Sequence, residues 1–171
     1  MYIVDFQPSW KSDFDNISQY LSLSLNGTYT KIIHVGSTSI PGVIAKPIID
    51  IDVVLDEIEQ MKDAQTRLES IGYAHRGDLG ISGRESFAQP AHLPYHHLYL
   101  VHKDTQAYLD HIDFKSALIE NPLLVEKYNS LKRSLEHLLL KDRNAYTEGK
   151  SQFINEVLVE FRSNKPNPIN S

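Results

Sequence analysis

Cysteine is missing from all 171 residues, which excludes disulfides, thiolate catalysis and thiolate metal sites together. No apolar run approaches the roughly 20 residues that cross a bilayer, so no membrane association is expected. The opening "MYIVDFQPSW" has no basic stretch followed by an apolar block, so it does not resemble a secretory signal. These absences fit a cytoplasmic protein, and the sequon Asn26-Gly27-Thr28 then reads as a turn. Positive charge is scarce as well: 17 Lys and Arg against 22 Asp and Glu leave a net charge of −5. Such a balance argues against a surface that grips long nucleic acids, but it allows a small local cationic pocket.

What is present suits one domain with a buried core and a helical extension, at an ordinary apolar content of 41%. Residues 9–25 predict a helix, with Trp10, Phe14, Ile17 and Leu21 at helical spacing and Asn26-Gly27 at its end. β-Branched and aromatic residues predict strands over 28–35, 48–55 and 96–101, with one or two short strands in 73–90. Residues 56–72 predict a helix, with acids early and Gly72 late. From Thr105 onward the pattern is helical, broken once at Pro122, which starts a new helix at its first turn. One stripe joins Leu124, Tyr128, Leu131, Leu135 and Leu138. Another joins Tyr146, Phe153, Ile154, Val157 and Phe161. The order is α-β-β-α-β-β and then three helices, an α+β class with a helical cap. Residues 1–103 form the expected core, 104–162 a C-terminal helical cap packed on it, and 163–171 a disordered tail.

The strand over 48–55 is apolar except for Asp50 and Asp52. Side chains two apart on a strand share a face, so both carboxylates project together and need a compensating partner. A dozen residues earlier stand Gly36 and Ser37, at the end of the preceding strand. Glycine permits close backbone approach, and a serine hydroxyl with adjacent N–H groups can seat a phosphate. Two carboxylates on one face can share Mg²⁺, which completes its shell with substrate phosphates.

The stretch "HVGSTSIPGVIAKPIIDIDVVL" resembles the nucleotidyltransferase superfamily in its Gly-Ser and Asp-x-Asp, and the GrpB family in its full wording. "HHLYLV", "NPLLVEKYNSLKRSL" and "DRNAYTEGKSQFINEVL" extend the resemblance over roughly Tyr2 to Phe161. It implies a nucleotidyltransferase-like mixed-sheet core followed by helices. Together with the two carboxylates it leads to the expectation of Mg²⁺ or Mn²⁺ on Asp50 and Asp52, a nucleoside triphosphate or related nucleotide as ligand, and an unidentified acceptor. GrpB domains also occur fused to dephospho-coenzyme A kinase, which points to nucleotide or cofactor metabolism. The superfamily places a third carboxylate on a later strand. Here "HHLYLV" offers His97 and Tyr99, with Glu85 the nearest other acid in sequence. His97 is therefore taken with the two aspartates as the catalytic set. Relatives carry an Arg-Asp pair where this chain has Lys115-Ser116, so no role passes to those two.

Each candidate also has a plain structural reading. The aspartates could pair with Lys46 or Arg84, and Gly36-Ser37 could form only a turn. Lys46 precedes Pro47 and either reaches the site or stays on the surface. Lys150 lies on an apolar stripe and Lys132 at the edge of one, which fits snorkelling or a phosphate across the cleft. Arg84 could grip a phosphate or remain solvated. His34, His92, His96 and His97 would have to converge for a zinc hydrolase, and their spacing matches no regular metal motif. Three functions thus stand side by side: a Mg²⁺-dependent nucleotidyltransferase, a noncatalytic nucleotide-binding or regulatory module, and a metal-dependent hydrolase.

Overall fold

A computed structural model describes residues 2–165. Five strands form one mixed sheet in the order β1-β2-β5-β4-β3: Lys31–Val35, Ile49–Leu55, His96–His102, Arg84–Ala88 and Ala74–Gly77. The pair β2/β5 is parallel, while β1/β2, β4/β5 and β3/β4 are antiparallel. Strand β2 sits between β1 and β5 and is buried at every position but Asp50, with Ile49, Ile51, Val53 and Leu55 on one face and Asp50, Asp52 and Val54 on the other.

One face of the sheet is covered by α1 (Ser9–Leu25) and α2 (Gln60–Ser70). Trp10, Ile17, Leu21 and Leu25 of α1 and Ala64 and Leu68 of α2 join Ile51, Val53, Leu98 and Leu100 in the main core. Gly27, at φ 81°, lets the chain turn back from α1 toward β1. The opposite face carries both aspartates. There Val54 and Val101 pack on Tyr108 of α3 (Gln106–Glu120).

Helices α3, α4 (Pro122–Leu135) and α5 (Arg143–Ser163) surround a second cluster, into which Ile40 and Val43 of the β1–β2 loop insert. Asn121 caps α4 by accepting from the Leu123 N–H at 3.1 Å, with Pro122 at the first helical position. Asp142 caps α5 from the Asn144 and Ala145 N–H groups, both at 3.0 Å. The expected α+β class is therefore the observed one, a mixed sheet flanked by helices with a helical C-terminal segment. Of the expected tail, Lys165 pairs with Asp113 at 2.5 Å, and residues 166–171 lie outside the described residues. Among the described residues, no helix is long and apolar enough to cross a membrane.

Candidate functional site

The register of the sheet sets the site. Asp50 stands opposite His97 and Asp52 opposite Tyr99 on β5, and Val35 and Ile33 face the same two aspartates from β1. Both carboxylates lie on one face, as the alternation of a strand requires. Their partners are histidines. His97 Nδ1 lies 2.7 Å from Asp50 Oδ1, and His111 Nδ1, from α3, lies 2.7 Å from Asp52 Oδ2. The expected structural pairing with Lys46 or Arg84 does not form among the described residues.

Depth separates the two aspartates. Asp50 keeps 28% of its side chain exposed, whereas Asp52 is fully buried and its Oδ1 has no hydrogen-bond partner among the described residues. Burial pushes the Asp52 carboxyl up, against the hydrogen bond and charge of His111. Burial also pulls the His111 imidazole down, but the Asp52 hydrogen bond and both aspartate charges outweigh it and leave the group raised. The pair thus holds its proton to higher pH than either group would alone.

Gly36 follows β1 at φ 68° and ψ −173°, a conformation that suits glycine almost alone. A Cβ there would meet Asp50 Cγ at 2.9 Å and its Oδ2 closer still. The next residue, Ser37, opens a short 3-10 turn through Ser39 and accepts from Lys132 Nζ at 2.9 Å. Lys132 is 2% exposed, crosses from α4, and donates also to the Ile44 carbonyl. Lys150 lies 4.4 Å and Lys46 5.9 Å from the centroid of the Tyr146 ring.

These groups line two adjoining cavities. One, of about 190 Å³, brings together Ser37, Asp50, His97 and the three lysines 46, 132 and 150. The other, of about 240 Å³, shares Ser37, Asp50 and Lys150 and continues toward His111, Phe114 and Lys115. Burial drives the Lys132 ammonium down to about 7 and Lys150 to about 8, with neighbouring lysines adding repulsion. Lys46 is lowered by the same desolvation and by Arg143. None of the three makes an ion pair among the described residues.

The remaining candidates go elsewhere. Arg84 lies 4.4 Å over the Tyr99 ring, donates to the Asp78 carbonyl at 3.4 Å, and lines neither cavity. Glu85 stands opposite Leu100, so it points to the α1/α2 face, where it meets His75 at 2.5 Å. It is not a third acid for this cleft. His96 is buried on that same face, 2.8 Å from the Tyr73 hydroxyl. His34 stacks on Phe14, and His92 packs edge-on against Tyr20. The histidines therefore diverge, and the described residues contain no metal-competent group of three or more His, Asp or Glu.

Two residues escaped the sequence pattern. His111 and Tyr128 reach the site from α3 and α4, far along the chain. His111 follows Asp110 on a helix of weak amphipathicity, so no local signal marks it. The donor set left for a cation is two carboxylates, one carrying a buried unpartnered oxygen. Asp52 is fully buried and lines neither cavity, so the set is too sparse for tightly held zinc, and a magnesium ion would have to take most of its ligands from phosphates and water.

The family model described as GrpB protein matches residues 1–160. The glutamate-rich protein GrpB of Alkalihalophilus pseudofirmus is 35% identical, over 93% of this chain and 94% of its own. The protein YqkA of Bacillus subtilis is 30% identical, over 89% of this chain and 44% of its own. The crystal structure of the conserved protein GrpB from Enterococcus faecalis superposes with a TM-score of 0.82 at 33% identity, covering 94% of this chain and 97% of that one. On this family match, supported by sequence and fold over nearly the whole chain, the protein belongs to the GrpB family.

Proposed function

We propose that the cleft binds a nucleoside triphosphate with Mg²⁺ or Mn²⁺ and transfers its nucleotidyl group to a hydroxyl-bearing acceptor. The observation that carries this reading is the gathering of Lys46, Lys132 and Lys150 around Asp50 and Ser37 without carboxylate partners. Desolvated, mutually repelling ammonium groups are costly in the free protein. A polyphosphate would offset that cost, which makes the cleft a site built for an anion. The wording of Gly36-Ser37 and Asp50-x-Asp52, shared with nucleotidyltransferases, supports the same assignment.

Asp50 and Asp52 are the residues that would hold the ion, which supplies neutralisation of the charge spread over the transferring phosphoryl oxygens. His97 and His111 orient the two carboxylates. Ser37 and the lysines take the phosphates, and Gly36 keeps the space beside Asp50 clear. In the transfer, the acceptor oxygen bonds to the α-phosphorus. The bridging P–O bond breaks, and pyrophosphate leaves with the electron pair. The hydroxyl proton passes to solvent.

The test is a thermal-shift and product-formation screen of ATP, CTP, GTP and UTP with Mg²⁺. Wild type should show Mg²⁺-dependent stabilisation that Asp50→Asn and Asp52→Asn abolish while remaining folded. Lys150→Met keeps the apolar stem and removes the charge, so it should weaken triphosphate binding at least tenfold, about 1.4 kcal/mol. An unchanged response in all three variants overturns the reading.

One observation favours a second function. The position opposite Asp50 holds His97 rather than an acid, so the cleft carries one negative charge less than a three-carboxylate site. A noncatalytic nucleotide-binding or regulatory module, linked to coenzyme A metabolism, meets that condition. Triphosphate binding without pyrophosphate release for any hydroxyl acceptor would place this module ahead.

A further inference from the structure

The floor of the sheet continues past His97 into a larger cavity of about 430 Å³ over β4 and β5. Tyr95, His97 and Tyr99 alternate along β5 and its approach, so they share the aspartate face, and Ser86 of β4 stands opposite Tyr99 on that face. His97 lines both this cavity and the lysine cleft, so the two meet beside Asp50.

Four residues give this cavity its chemistry. Ser86 is 3% exposed, yet its Oγ has no hydrogen-bond partner among the described residues. Buried hydroxyls are normally paired, so this one would gain a bond from a group seated deeply enough in the cavity to reach it. Tyr95 is 53% exposed, its ring set at 78° to the His97 ring with 5.6 Å between centroids and its hydroxyl 3.4 Å from His97 Nε2. Arg76, exposed at the rim, makes no ion pair among the described residues. Leu79 projects onto the same rim from a left-handed backbone at φ 50°, uncommon for a branched side chain.

We infer that this cavity is the acceptor subsite, and that it takes a small anion bearing a planar ring and a hydroxyl, of the nucleoside monophosphate class. The assignment rests on the triphosphate reading of the adjoining cleft. Tyr95 stacks the ring, Arg76 meets the anion, and Ser86 bonds a polar edge. The shared His97 wall puts the acceptor hydroxyl next to the α-phosphorus held beside Asp50. That oxygen then forms the new P–O bond, pyrophosphate departs with the electron pair of the old one, and the proton goes to solvent.

Isothermal titration of the full chain tests this with AMP, CMP, GMP and UMP, alone and with a nonhydrolysable Mg²⁺-triphosphate present. At least one monophosphate should bind wild type. Tyr95→Ala should weaken it at least fivefold, and Ser86→Ala, which removes only the hydroxyl, at least threefold. Triphosphate affinity, measured in the same variants, controls for folding and should stay within twofold of wild type. If no monophosphate binds, or if both variants bind it as wild type does, the inference is overturned whatever the triphosphate does. If monophosphates bind through Tyr95 and Ser86 but triphosphates never bind, the subsite is supported and the transfer reading falls.

Discussion

Gly36 shows how a single residue can set the geometry of a site. Its missing side chain is where Asp50 lies, and its positive φ lets the chain turn from β1 into the Ser37 turn. Gly36→Ala would impose both a strained backbone and a collision with a carboxylate that cannot retreat from its strand. Destabilisation of about 2–3 kcal/mol in urea unfolding is expected. The Mg²⁺ response should weaken with it, because relieving the clash moves Asp50. An alanine variant with wild-type stability would show that the close approach is not required. Beside this residue Asp50 and Asp52 look alike in sequence, but one is a cleft wall and the other a buried group that depends on His111.

At the scale of elements, α4 is what holds the Ser37–Lys46 loop against the sheet. Asn129 clamps it from both sides, accepting from the Ile44 N–H at 2.9 Å and donating to the Gly42 carbonyl at 2.9 Å. Asn129→Ala removes both bonds, so a stability loss of about 1–3 kcal/mol is expected in thermal or urea unfolding. Triphosphate affinity should fall too, since Lys46 and Ser37 ride on that loop. Full affinity in a destabilised variant would separate the clamp from the site. Much of this architecture was readable beforehand. Helix α1 spans 9–25 as its apolar spacing dictates, and β2 begins one residue later than its apolar run. Strand β1 starts at Lys31 rather than Thr28, because the Thr28 hydroxyl donates to the Leu25 carbonyl and keeps that segment in the turn. Helix α2 starts at Gln60 rather than 56, after a turn in which the Gln60 side chain accepts from the Glu57 N–H. In the site, the Gly-Ser and Asp-x-Asp pairs were legible because each is local. Which lysines converge, and that His111 supplies the partner of Asp52, depends on helix placement across the sheet, and no local spacing encodes that.

Over the whole molecule the charge distribution runs against the net charge. An acidic chain concentrates three lysines at one cleft, two of them held far below their ordinary proton affinity by burial. The consequence for pH follows from linkage. The ammonium groups of Lys132 and Lys150 titrate near 7 and 8 in the folded protein and near 10.5 when unfolded. Between those limits the unfolded chain binds more protons, so these lysines make the protein more stable as pH rises from about 7 toward 10. Their penalty is fully present below about 7, where both are charged and buried. Subtracting the stability of the double variant Lys132→Met/Lys150→Met from that of wild type at each pH removes the contribution of all other groups. The difference should rise over that window and flatten below it. A bound polyphosphate reverses the balance by favouring the charged amines, so binding at pH 8 should take up protons. Titration calorimetry in two buffers of different ionisation enthalpy reads that uptake directly. Its absence, with a flat stability difference between pH 7 and 10, would mean that the lysines are solvated and that the cleft does not face an anion.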